Sequence, residues 1–202
     1  MWYMSTYKYL QQLNSSNKKL FTTADIEQLF EIDVKRTLED RIKRLLDEKV
    51  LTQLERGKYL LTDSDVSDFE IAQFLYNPSY ISLETALNFH GILSQFPFEI
   101  TSVTTKSTEK KEIFDKKFIY AKLNTKLFTG YYKENDALIA YPEKALFDRF
   151  YMISKGLKTE QYLDEMDYAN IDKSKVEKLT KTYILEREIA FKQPFPRSLE
   201  FI

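Results

Sequence analysis

Residues Asp33 to Leu61 read DVKRTLEDRIKRLLDEKVLTQLERGKYLL. With Val34 as origin and an advance of about 100° per residue, Val34, Leu38, Ile42, Leu45 and Leu46 fall on one helical face. Arg36, Asp40, Lys43 and Asp47 fall opposite, with Thr37 and Arg44 on the adjoining flank. The spacing predicts an amphipathic helix, and the Asp33 carboxylate is expected to cap its N-terminus. Val50, Leu51 and Leu54 carry the apolar pattern out of the helix, and Tyr59, Leu60 and Leu61 return after Arg56-Gly57-Lys58. Gly57 sits where a hairpin needs a residue tolerant of positive φ. The stretch therefore reads as a helix followed directly by a small hairpin with a basic tip.

Upstream, Thr22-Thr23-Ala24-Asp25 approximates a capping box and opens a helix holding Ile26, Leu29 and Phe30. Residues 2–14 place Tyr3, Tyr7, Leu10 and Leu13 at helical spacing, ended by the polar break Asn14-Ser15-Ser16-Asn17. Helix, helix, short turn, helix, hairpin is the order of a winged helix-turn-helix, whose recognition helix enters the major groove while the wing lies along the backbone. Candidate DNA contacts follow. Thr23, Lys35, Arg36 and Thr37 lie at helix N-termini, where N–H groups and side chains meet phosphates or base edges. Arg36 and Lys43 point away from the core and suit guanine. Arg44 and the wing's Arg56 and Lys58 would meet phosphates. Arg41 falls close to the apolar face and is expected to pack its stem there. The charged face also holds Glu39, Asp40, Asp47 and Glu48, so an ordinary solvated face is the competing reading.

Charge bears on that choice. The 202 residues carry a formal net charge of −1, so the whole chain is not a polybasic nucleic-acid binder. Any DNA affinity must come from where charges are placed on one surface. The absence of cysteine excludes disulfides, thiolate zinc sites and cysteine catalysis. The start, MWYMSTYKYLQQL, does not read as a secretory signal. The longest apolar run, Ala137 to Tyr141, is far short of the about 20 residues that cross a bilayer. A cytoplasmic chain without membrane contact is expected.

Past Thr62-Asp63-Ser64-Asp65, residues 63–77 read as a linker with a short strand or helix. Residues 80–91 look helical after Ser82 as cap, with Leu83, Ala86, Leu87 and His90 at helical spacing and Gly91 closing the helix. Phe98 to Thr105 alternates as a strand does. Phe118 to Leu123, Leu127 to Tyr132 and Ala137 to Ala140 also read as strands, with Gly130 marking a turn or bulge. Pro142 fits the first turn of a helix that runs to about Lys155 and buries Ala145, Leu146, Phe150 and Ile153. Two or three short helices are expected over 159–191, then an irregular tail from Pro194 and Pro196. The fold class expected is α+β: a winged helix-turn-helix at 1–62, a connecting element at 63–77, and a mixed α/β domain at 78–202 with a helical C-terminal part.

Two stretches, YNPSYISLETALNFHGIL from Tyr76 and ALIAYPEKALFDRFY from Ala137, with Ser102-Val103-Thr104-Thr105 between them, resemble the AbiEi family of antitoxins. The matching elements are Pro78, Tyr80-Ile81-Ser82-Leu83-Glu84, Ala86-Leu87, His90-Gly91, and Pro142 to Leu146 with Asp148. Together with the N-terminal elements the resemblance spans roughly 5–155. It implies a cytoplasmic repressor that binds double-stranded DNA at its own promoter. It also implies the antitoxin of a type IV toxin–antitoxin (abortive infection) pair, with a nucleotidyltransferase-like toxin encoded nearby and an antitoxin-supporting C-terminal domain. A homodimer on inverted repeats fits such a regulator.

An enzyme is not expected. One histidine, no cysteine and no phosphate-cradling glycine cluster leave little for catalysis, and no cofactor or metal is expected. His90 reads as a helix-terminal residue rather than a general base. Glu143, Lys144 and Asp148 could be drawn as an acid–lysine site; the plainer reading puts Glu143 in a first helical turn and Lys144 or Asp148 on a solvated side. Lys106, Lys110, Lys111, Lys116 and Lys117, mixed with acids, read as an exposed loop between strands, with a second DNA or toxin contact as the alternative. For the chain as a whole, the alternative to a DNA-binding autorepressor is a protein-interaction module whose winged helix contacts a partner protein.

Overall fold

The structure is a computed structural model, and it describes residues 6–185. Tyr3 of the first expected helix and the tail from Pro194 lie outside the described residues. The protein is mixed α+β and divides into two compact units, with the boundary between Leu75 and Tyr76. Among the described residues no helix is long and apolar enough to cross a membrane.

The first unit runs α1 (Thr6–Ser15), β1 (Leu20–Thr22), α2 (Thr23–Phe30), α3 (Lys35–Asp47), β2 (Leu51–Glu55), β3 (Lys58–Leu61) and α4 (Asp68–Leu75). Its core gathers Leu13 from α1, Ile26 and Phe30 from α2, Leu38, Ile42 and Leu45 from α3, and Tyr59 from the hairpin. On α1 the buried residues are Tyr9 and Leu13, four apart, while Tyr7 is exposed. The face is thus turned from the expected Tyr7 line, and Tyr9 packs on Phe30 at 4.6 Å between ring centroids. The hairpin is not alone. β1 pairs antiparallel with β3, giving a three-stranded sheet in the order β1-β3-β2. Residues 63–77 hold α4, which belongs to the first unit and buries Ile71, Ala72 and Leu75.

The second unit holds β4 (Ser79–Ile81), α5 (Leu83–Phe89), β5 (Glu99–Thr104), β6 (Glu109–Ile113), β7 (Lys116–Lys122), β8 (Tyr131–Glu134), β9 (Ala137–Ala140), α6 (Pro142–Ser154) and α7 (Lys173–Leu185). Six strands form one sheet in the order β6-β7-β5-β4-β9-β8. Three sequence expectations shift. The charged stretch after Lys106 is the edge strand β6 rather than a loop, paired antiparallel with β7. The strand expected from Leu127 begins only at Tyr131, after a 3-10 turn at Thr125–Leu127. β4, only three residues long, sits inside the sheet, antiparallel to β5 and parallel to β9.

α6 departs furthest from its sequence reading. Every residue from Glu143 to Met152 is buried. Lys144 and Asp148 are 2% and 0% exposed and pair with each other, so neither lies on a solvated side. Asp148 Oδ2 accepts from the Tyr80 hydroxyl at 2.9 Å and the Ser82 hydroxyl at 2.8 Å. Ser82 is the residue before α5, but its hydroxyl does not cap that helix because Asp148 holds it. One turn on, buried Arg149 pairs with Glu84 of α5 and donates to the Gln161 carbonyl at 2.5 Å. Burial pushes the Asp148 carboxyl above its ordinary value and the Lys144 ammonium below its own, each against the attraction of the other. Burial, and then the Asp148 charge, push the Tyr80 phenol well up. Gly130 is shaped by this core. A Cβ there, at φ +75°, would lie 3.0 Å from Lys144 Cγ, so the lysine stem occupies the space a side chain would need.

Breaking this pair on one side strands a buried charge. Asp148→Asn is expected to cost about 3–5 kcal/mol in urea denaturation. Lys144→Met combined with Asp148→Leu should cost clearly less than the two single changes added together, because it removes both charges. Additive losses would show that the two residues are not coupled.

Candidate nucleic-acid interface

The candidate interface is built from the start of α2, the turn after it, α3 and the hairpin. The capping box expected at α2 is complete. Asp25 N–H donates to Thr22 Oγ1 at 3.1 Å, and Thr22 N–H donates to Asp25 Oδ2 at 2.7 Å. Lys18 Nζ adds a contact to Asp25 at 2.6 Å. Burial raises the Asp25 carboxyl, but the hydrogen bonds from Lys18 and Thr22 outweigh it and hold the group below its ordinary value of 3.8. α2 ends at Glu31, whose φ of +53° is left-handed, and Ile32 N–H returns to the Glu27 carbonyl at 3.1 Å.

Asp33 does not cap α3. The capping residue is Val34, which is exposed and supplies no side-chain hydrogen bond. The first N–H groups of α3 therefore lack a side-chain acceptor. Leu38, Ile42 and Leu45 are buried as the periodicity predicts. Lys35, Arg36, Asp40, Lys43 and Asp47 are exposed along the outer side, and Thr37 is half-buried. Lys35 reaches Glu39 at 3.9 Å. Arg41 stacks over Tyr9 at 4.5 Å from the ring centroid, the packing role its place near the apolar face suggested. Arg44, at the far end of α3, is held by Glu48 at 2.6 Å.

The hairpin is anchored to the start of α2. Thr23 N–H donates to the Gly57 carbonyl at 3.0 Å, and Gly57 has φ +78°. The backbone donor of Thr23 is thus already used inside the unit. Arg56 is exposed at the tip. Lys58 is turned inward: Nζ meets Glu55 at 2.8 Å and donates to the Leu75 carbonyl at the end of α4 at 2.5 Å. It also lies 5.7 Å from the Phe74 ring centroid. Lys58 joins the hairpin to α4, a role invisible in a sequence that showed only a basic tip.

In the second unit the five lysines do not share one face. Neighbouring residues of a strand point to opposite sides, and the β6–β7 register sets Lys111 opposite Phe118 but Lys110 opposite Ile119. Lys117 pairs across to Glu112 and, on its other side, to Glu99. Lys106 and Lys111 lie 5.4 and 5.7 Å from the Tyr76 ring centroid. His90 ends α5, with Nε2 2.8 Å from the Ala140 carbonyl, so this nitrogen carries the hydrogen.

Residues 8–62 match a family described as transcriptional regulator, AbiEi antitoxin. The matched segment runs from α1 to the end of the hairpin and holds every candidate DNA contact of the first unit. The motifs around Tyr80 and Lys144, which carry the resemblance in the second unit, lie outside it. No curated protein matches the chain. The family suggests an antitoxin and transcription-regulating role, and regulators of this family are generally not enzymes.

The capping box gives an acid-sensitive test. Asp25 is depressed in the folded state, so its contribution is present above its unfolded value and is lost as pH falls through its folded one. Asp25→Ala is expected to cost about 1 kcal/mol at neutral pH and progressively less as pH falls below the ordinary carboxylate value of 3.8. Thermal melts across this range check both; a loss of equal size at every pH would remove the carboxylate from the account.

Proposed function

We propose that the protein is a DNA-binding transcriptional regulator that represses its own promoter and serves as the antitoxin of a type IV toxin–antitoxin pair. Its first unit is a winged helix-turn-helix, with α3 as the reading helix and the β2–β3 hairpin as the wing. The observation that carries this reading is the exposed, cap-free start of α3, where Lys35, Arg36 and Thr37 flank open backbone donors. Such a terminus suits phosphate, and long basic side chains beside it suit base edges. Arg36 and Lys43 are assigned to bases and Arg56 to the backbone. Arg44 and Lys58, both engaged inside the unit, are assigned supporting parts, and Thr23 positions the wing through Gly57. The second unit is assigned the antitoxin-supporting part, toward a nucleotidyltransferase-like toxin encoded nearby. Cytoplasmic location and a dimer on inverted repeats complete the proposal.

A second reading draws on the same face. Lys35, Arg36 and Lys43 are matched by Glu39, Asp40 and Asp47, all exposed. A charge-balanced face also suits a protein partner, with the winged helix as an interaction module.

Gel-shift titration on the upstream DNA, against scrambled DNA at two salt concentrations, decides between them. Specific binding that weakens steeply with salt is expected. Arg36→Ala should weaken it by about 1–3 kcal/mol, and Arg56→Ala should lower the salt slope by about one. Operator affinity unchanged in Arg36→Ala would remove α3 as the reader. No preference for the upstream fragment would favour the protein-partner reading.

A further inference from the structure

The second unit contains a cavity of about 540 Å³, within the roughly 300–1,000 Å³ typical of small-molecule sites. Three chemistries meet in its lining. Phe96 and Phe98 are 86% and 101% exposed. Large aromatic side chains left this open mark a binding surface, and their faces suit a planar ring. In one corner Arg149 and Lys158 both contact the single carboxylate of Glu84, Lys158 at 3.1 Å. Two cations on one carboxylate leave a surplus positive charge there, presented to the cavity by Lys158, since Arg149 is only 2% exposed and donates to the Thr159 and Gln161 carbonyls. Arg149 Nε and Glu84 Oε2 are buried without a hydrogen-bond partner among the described residues. Elsewhere the lining is acidic: Glu99 and Asp115 offer carboxylates, with Lys117 beside them. The cavity therefore asks for a ligand with an anion at one end, a flat ring, and N–H donors on that ring.

We propose that this cavity binds a purine nucleoside monophosphate, with the phosphate at the Arg149–Lys158 corner, the base against Phe96 and Phe98, and ring amino groups toward the acidic rim. A small aromatic carboxylate shares the anion and the ring but lacks the donors that the rim carboxylates would accept and leaves most of the volume empty. The site belongs to the second unit alone and does not depend on DNA binding by the first.

Titration calorimetry of the full chain with AMP tests this, with inorganic phosphate and benzoate as separate probes. Saturable AMP binding is expected, weakened about tenfold by Phe98→Ser and by Lys158→Gln and unchanged in Arg36→Ala. Phe98 is fully exposed, so Phe98→Ser decides the matter if Lys158→Gln shifts the thermal melt. No saturable heat with AMP up to about 10 mM overturns the proposal. So does binding that phosphate or benzoate matches, or that Phe98→Ser leaves intact. Loss of AMP binding in Arg36→Ala would move the site to the first unit and overturn it too.

Discussion

The buried Asp148 carboxylate is the constraint on which the second unit depends. It is fully enclosed and accepts hydrogen bonds from Tyr80 and Ser82 while pairing with Lys144. An ionised carboxylate in such a place is tolerated only when charge and lone pairs are met together. Meeting them fixes β4, which carries Tyr80, the start of α5, which follows Ser82, and α6, which carries both members of the pair. The next contact, Arg149 with Glu84, ties α6 to α5 a second time and draws in the Gln161 carbonyl. A buried ionic network of this kind contributes little net stability compared with an apolar core. It does penalise any arrangement that leaves one member unpaired.

The first unit follows a different logic. Its α-helices pack through apolar stripes, and its polar contacts sit at the joints. Thr22 and Asp25 satisfy each other at the start of α2, Thr23 holds the hairpin through Gly57, and Lys58 reaches from β3 to the end of α4. These contacts consume several groups that would otherwise face a ligand. What remains outward on α3 is Lys35, Arg36 and Lys43 with their acidic neighbours. A surface of this balance would discriminate by the placement of individual side chains rather than by bulk attraction.

Features that were legible in the sequence are local ones. The buried stripe of α3 and the capping box of α2 depend on residues three or four apart, and Arg41 could be placed against the core by its angle alone. Val34, not Asp33, is the capping residue of α3, because either residue can stand there and only the backbone path decides which does. By sequence β6 reads as a loop because its Glu109 to Glu112 run is charged throughout. Charge is what keeps an edge strand from pairing with other chains, so composition points the wrong way there. β4 has three residues, too few to show a period.

The sequence by itself determined the α3 face, the hairpin turn at Gly57 and the family to which residues 8–62 are matched. The first two rest on helical or turn geometry within a few residues, the third on the run of residues over 8–62. The tertiary structure alone decided the fate of Lys144, Asp148 and Lys58. A lysine four residues before an aspartate looks the same on a wet helix as on a buried one. What distinguishes them here is Tyr80 and Ser82, 68 and 66 residues away in the chain. Burial is a property of what packs around a side chain, and the sheet that places β4 against α6 is assembled only in three dimensions.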